Sequence, residues 1–229
     1  MKIGLLLTPD NRSKAYIQKI FNRNISLDEI IFMNDKRDSP KFSEQIILQS
    51  KKNGFDISEK VESTLLNHNL KFKEFPFIDI NNKDLINYIK EKNLDYIIFS
   101  GGGILKKEIL SCRTKFIHFH PGITPDYKGS TCFYYGILDQ NNCGVSAIIM
   151  DEGLDTGDIA YQRIFSKPEH FFVDEVYDPY IRSETLIDIL QKNILEKNEF
   201  KKQNISEGNT YYIIHPVLKH IALLCCQKK

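Results

Sequence analysis

Short apolar runs constrain this chain most. Residues 3–7 (Ile-Gly-Leu-Leu-Leu), 30–33 (Ile-Ile-Phe-Met), 96–99 (Tyr-Ile-Ile-Phe) and 116–120 (Phe-Ile-His-Phe-His) show no in-out alternation. Runs of this length without alternation suit strands covered on both faces, as in a parallel sheet. The stretches between them follow helical spacing: Ala15, Ile17, Ile20 and Phe21; most of 42–66, broken at Asn53-Gly54; and Leu85, Ile86 and Ile89. Residues 72–77 read as a further strand. The order strand-helix-strand, repeated, predicts an α/β fold with a doubly wound, mostly parallel sheet. Beyond it, 106–111, 130–140, 184–195 and 217–226 read as helices, and 145–150, 159–165 and 210–214 as strands. No repeat or linker divides the chain. One domain over 1–229 is expected, with a core over 1–165 and a C-terminal extension over 166–229.

Composition bounds the function. A chain of 229 residues with 41% hydrophobic and 27% charged residues can bury a core without metal or disulfides. Its 31 basic and 30 acidic residues leave a formal charge of +1, which lacks the basic excess of a nucleic-acid binder. No apolar run approaches the ~20 residues that span a bilayer. The N-terminal run is too short for a signal peptide and is followed by Thr8-Pro9-Asp10. Five cysteines without a CxxC pair match a reduced, cytoplasmic protein. The expected partner is a small molecule, with neither nucleic acid nor membrane; a homodimer is compatible with the sequence.

Three segments fall at predicted strand ends, where open α/β sheets bind ligands. In Phe116-Ile117-His118-Phe119-His120-Pro121, the two histidines lie two residues apart and so share a strand face. They suit zinc, or an acid/base with a hydrogen-bond donor; the plainer alternative is one core and one exposed histidine. Met150-Asp151-Glu152-Gly153-Leu154-Asp155-Thr156-Gly157-Asp158 is either a solvated turn or a source of a carboxylate that orients an imidazole. Gly101-Gly102-Gly103-Ile104-Leu105 is neither GxGxxG nor a P-loop. It is a flexible turn, or backbone that a flat ligand approaches.

Taken together, His118 to Ile159 resembles the catalytic core of the folate-dependent formyltransferases: glycinamide ribonucleotide transformylase, methionyl-tRNA formyltransferase and, closest in style, the sugar N-formyltransferases. That family has an Asn-x-His-Pro strand end, a loop ending in Tyr-Arg-Gly, a helix, and an Asp in an acidic loop. Here the matching residues are His118-Phe119-His120-Pro121, Tyr127-Lys128-Gly129 and Asp151 to Asp158. The resemblance implies a Rossmann-like formyltransferase core in which His120 is the catalytic imidazole and Asp155 its carboxylate partner. It puts His118 at the family's Asn position, where a ring N–H can still donate to an oxyanion. Lys128 replaces the family Arg, keeping the charge without the fork. It implies 10-formyltetrahydrofolate as formyl donor, lying against Gly102, Gly103, Ile104 and Leu105 and against Met150, Asp151, Glu152 and Gly153, with no metal.

The resemblance implies a primary amine as acceptor; a small anionic one fits best, such as a nucleotide-linked amino sugar of surface-glycan biosynthesis or an amino acid-like sugar acid. Lys128, Tyr180 and Arg182 are the candidate substrate-binding residues, Tyr180 for stacking and Arg182 for an anion; the plainer reading of 177–182 is a helix start at Pro179. Methionyl-tRNA formyltransferases carry a further C-terminal domain, for which the stretch after Asp155 is short. Rival readings are a methionyl-tRNA formyltransferase, a formyltetrahydrofolate hydrolase, a zinc hydrolase using His118 and His120 with Asp155 or His170, and a non-catalytic folate-binding protein.

Overall fold

The computed structural model describes residues 1–101 and 103–226. The chain forms two compact units, 1–118 and 119–229; the division falls inside a strand.

The first unit is a regular β/α array. Strands β1 (Ile3–Leu7), β2 (Glu29–Met33), β3 (Lys73–Phe75), β4 (Tyr96–Phe99) and β5 (Lys115–His120) stand in the order β3-β2-β1-β4-β5. Each pairing is parallel. The order reverses between β1 and β4, so a topological switch point lies there. The mostly parallel, Rossmann-like α/β class expected from the sequence is the class observed. Leu5, Leu6, Leu7, Ile31, Met33, Ile97 and Ile98 are fully buried, each contributing roughly 1.5–3 kcal/mol by leaving water. Helices α1 (Asn11–Asn22), α2 (Glu44–Lys52), α3 (Val61–Asn67), α4 (Lys83–Lys92) and α5 (Lys107–Leu110) connect the strands. Asp10, Ser43 and Asn82 cap the first, second and fourth by accepting a backbone N–H. At the switch point, Ser13 Oγ accepts the Thr8 N–H and lies 2.7 Å from Ser100 Oγ, tying the end of β1 to the end of β4.

The second unit is less regular. It holds β6 (Tyr127–Gly129), α6 (Cys132–Gln140), β7 (Asn142–Ile149), β8 (Ile159–Ser166), a π-helical turn (Val173–Tyr177), α7 (Asp178–Gln191), α8 (Ile194–Lys197), β9 (Asn209–Tyr211) and α9 (Pro216–Cys225). β7 and β8 form an antiparallel pair, and β6 pairs with β9 in parallel. Two expectations are corrected. The helix expected over 184–195 starts at Asp178 with Pro179 in its first turn, where a missing N–H costs nothing. The strand expected over 210–214 is shorter and pairs with β6, whose three residues carry no periodic signal.

Candidate functional site

His120 ends β5 and is 1% exposed. Its Nε2 lies 2.8 Å from the Tyr127 carbonyl oxygen, and its Nδ1 lies 3.2 Å from Asp155 Oδ2. Both neighbours are acceptors; the neutral ring has one N–H and satisfies one of them, and the ring that has taken up a proton satisfies both. Burial pushes the imidazole below its ordinary value, and the nearby Arg182 charge adds to this; Asp155, the Tyr127 carbonyl and Asp178 pull the other way. The result is a desolvated imidazole facing a carboxylate that is itself only 11% exposed. Gly122 makes the contact with Tyr127 feasible: a Cβ there would meet His120 Nε2 at 2.8 Å and the Tyr127 oxygen at 2.9 Å.

Asp155 sits in a knitted turn. Asp151 Oδ1 accepts the Gly153 N–H and the Thr156 hydroxyl, and Asp155 Oδ2 accepts the Gly129 N–H at 2.8 Å. The buried Cys132 has its thiol pushed up to about 12, by burial first and then by the Asp155 charge, which keeps it protonated and inert.

A strap over 201–211 holds both partners of the ring. Ile159 and Lys201 exchange backbone hydrogen bonds of 2.8 and 2.9 Å. Gln203 Nε2 donates to the carbonyls of Asp155 and Gly157 at 3.0 and 2.5 Å. Further on, the Asn209 N–H donates to Asp126, and β9 pairs with β6, which carries Tyr127.

The expected substrate residues are placed differently. Lys128 is buried, and its ammonium donates to the carbonyls of Ile205 and Glu207 at 3.0 and 2.9 Å; it fastens the strap. Arg182 is buried on α7, with Nε donating to Asp178 at 2.6 Å and Nη1 to the Phe119 carbonyl, one residue before His120. Its fork is committed to the protein, where the sequence reading gave it a substrate anion. Tyr180 is half-buried and packs edge-on against Phe165. His118, two residues before His120, lies with its ring 6.4 Å from Phe99.

The expected folate residues fall in both units, 102–105 in the first and 150–153 in the second. Gly102 lies outside the described residues. Gly103 has a φ of +102° and open space where a Cβ would stand; Ile104 is 87% exposed and Leu105 is buried. Met150 is half-buried, while Asp151, Glu152 and Gly153 are exposed. An apolar side chain offered to solvent beside an uncovered glycine suits the flat, partly apolar face of a pterin. Within the second unit, His120 and Asp155 offer two donors of the kind zinc takes. His170 accepts the Phe172 N–H on its Nδ1 and is no member of the set.

Tyr127, Gly129 and Gln203 were missed by the sequence reading. The first two act through backbone atoms, and a lone Gln carries no pattern; the only signal was that Tyr127 and Gly129 flank the family-like Lys128.

A buried imidazole paired with a carboxylate at the end of a parallel strand belongs to the class of sites that hold and move a proton. This chain belongs to the formyl transferase family: the model described as Formyl transferase matches residues 27–170. The methionyl-tRNA formyltransferase of Clostridioides difficile (strain 630) is 30% identical over 196 residues, covering 83% of this chain and 59% of that protein. That of Finegoldia magna is 26% identical over 150 residues, covering 62% and 48%. This chain spans about half the length of the curated relatives it matches. Among solved structures, a sugar N-formyltransferase from Shewanella sp FDAARGOS_354 shares the fold at a TM-score of 0.61 and 16% identity, over 99% of this chain and 88% of that one. An N-formyltransferase from Helicobacter canadensis, in complex with folinic acid and dTDP-3-aminofucose, does so at 0.57 and 19%, over 93% and 71%. The expectation of no nucleic acid finds no support in relatives named for tRNA. Among the described residues, no helix is long and apolar enough to cross a membrane.

Proposed function

We propose that this protein moves a formyl group from 10-formyltetrahydrofolate to the primary amine of a small substrate, a nucleotide-linked amino sugar. The observation that carries the reading is the buried His120 Nδ1 held 3.2 Å from Asp155 Oδ2. A bound folate supplies the formyl carbon; Gly103 to Leu105 and Met150 to Gly153 are the residues that would hold it. As the amine attacks, its nitrogen must lose a proton and the departing nitrogen must gain one. The His120–Asp155 pair takes the first and returns the second, so no net proton is consumed. Positioned transfer of this kind is worth typically ~10²–10⁴ in rate. His118 supplies an N–H to the oxygen as it becomes anionic. The five free cysteines support a reducing, cytoplasmic setting.

The small acceptor is supported by the formal charge of +1, since grip on a nucleic-acid backbone rests on basic excess. A second reading, formylation of methionyl-tRNA, is favoured by the names of the relatives. The test supplies formyltetrahydrofolate with a panel of nucleotide-linked amino sugars, or with charged initiator tRNA, and reads tetrahydrofolate release. Release dependent on an amino sugar is expected. Faster release with the tRNA would overturn the small-acceptor reading, release with water alone would indicate a hydrolase, and folate binding without release a binding protein.

A further inference from the structure

We propose that Gln203 is a positioning residue for Asp155, holding the carboxylate against His120; the inference rests on the reading of that pair as the proton-handling group. Asp155 has a φ of +55°. A residue with a side chain keeps this left-handed conformation only where its surroundings enforce it. In that conformation the carbonyls of Asp155 and Gly157 converge on one point, and Gln203 Nε2 occupies it at 3.0 and 2.5 Å. Two carbonyls can only accept, so the amide must turn its NH₂ toward them. This orientation leaves Gln203 Oε1 buried with no hydrogen-bond partner among the described residues. The side chain gives up one acceptor to hold two backbone oxygens, which is the mark of a clamp on the turn. The clamp is delivered in register, because Lys201 is bridged to Ile159 two residues earlier. Across the turn, the Gly129 N–H fixes the carboxylate end of the same residue. Asp155 is thus held at its main chain by Gln203 and at its side chain by Gly129.

The test follows the His120 ring directly, which requires no knowledge of the acceptor. The charged groups that act on that ring are Asp155, Arg182 and Asp178. His120 is titrated by NMR in the full chain, in Gln203→Met (similar in shape, without donors) and in Asp155→Asn. Removing the Asp155 charge lowers the titration midpoint, and releasing Asp155 from its clamp should lower it in the same direction, with the fold retained by circular dichroism. Formyl transfer in Gln203→Met should fall on the order of 10–100-fold in kcat, as for other displaced catalytic groups, while KM for the formyl donor holds. In an Asp155→Asn background the Gln203 substitution should cost nothing more. A wild-type midpoint in Gln203→Met, or losses that add in the double variant, would overturn the proposal. Should Gln203→Met fail to fold, Gln203→Ala, which removes the donors without adding charge, is read in the same way. A midpoint unmoved by Asp155→Asn overturns the pair itself, and the positioning inference with it.

Discussion

The two units of this chain are held together by different means. In residues 1–118, order comes from apolar burial: five parallel strands, fully buried Leu and Ile along them, and helices closed by side-chain caps. In residues 119–229, the irregular backbone around His120 is pinned by single polar side chains that reach backbone carbonyls: Arg182 to Phe119, Gln162 to Thr124, Lys128 to Ile205 and Glu207, and Gln203 to Asp155 and Gly157. Burial is spread over many side chains and degrades gradually. A polar clamp is one contact, and removing it strands its partners. The same size of substitution should therefore cost more in the second unit than in the first, and the cost there should reach function.

The largest effect is expected at the centre of the pinned region. His120→Ala should lower formyl transfer by ~10²–10⁴, measured as kcat on the acceptor found by the screen, with the α/β signal in circular dichroism retained. In the native protein, burial lowers the His120 midpoint below the ordinary 6.5. The sign follows: activity that needs the neutral ring is present above 6.5 and is lost as pH falls through the lowered value. An acid limb of kcat/KM above 6.5 would contradict a desolvated base.

Next come two substitutions that act on the strap, one within it and one on β6. Gly208 has a φ of +70°, and a Cβ there would stand 1.9 Å from the Pro125 carbonyl oxygen. Backbone cannot rotate aside as a side chain does, so Gly208→Ala should cost ~3 kcal/mol, read from the urea midpoint. Lys128→Met leaves the carbonyls of Ile205 and Glu207 without their donor and should cost ~1–3 kcal/mol. This variant separates the two roles given to Lys128. A clamp loses stability and kcat; a substrate hand loses KM at unchanged stability.

The same contrast explains what could be read in the sequence. The parallel strands were legible because β1, β2, β4 and β5 each carry a run of apolar residues without alternation, as burial on both faces demands. His120 and Asp155 were legible because their neighbours, Pro121 and the Asp151 to Asp158 turn, match a known pattern. Lys128 and Arg182 were noticed as hands for a substrate anion, as a cation near a site reads; Asp178, one turn before Arg182, is a local partner, but nothing local reveals the carbonyls 77 and 63 residues away. Gln203 and β6 were illegible for a related reason. Their roles are set by backbone oxygens brought close by the chain's return, and backbone has no sequence.

The smallest effect is expected at Gly4 in β1, and it is the control for the others. A Cβ there would meet Leu94 Cδ1 at 2.7 Å and Ile97 Cγ1 at 3.4 Å, with the backbone oxygen of Glu29 further off at 3.7 Å. The closest neighbour is the end of a leucine, which can change rotamer. Crowding of a packed core costs typically ~1–3 kcal/mol, and replacing a strand glycine by alanine returns ~0.5–1 kcal/mol of backbone entropy. Gly4→Ala should then lose about 1 kcal/mol in urea and leave kcat unchanged. A loss equal to that of Gly208→Ala would show that the first unit is as brittle as the second, and the contrast between burial and clamping would fail at its simplest point.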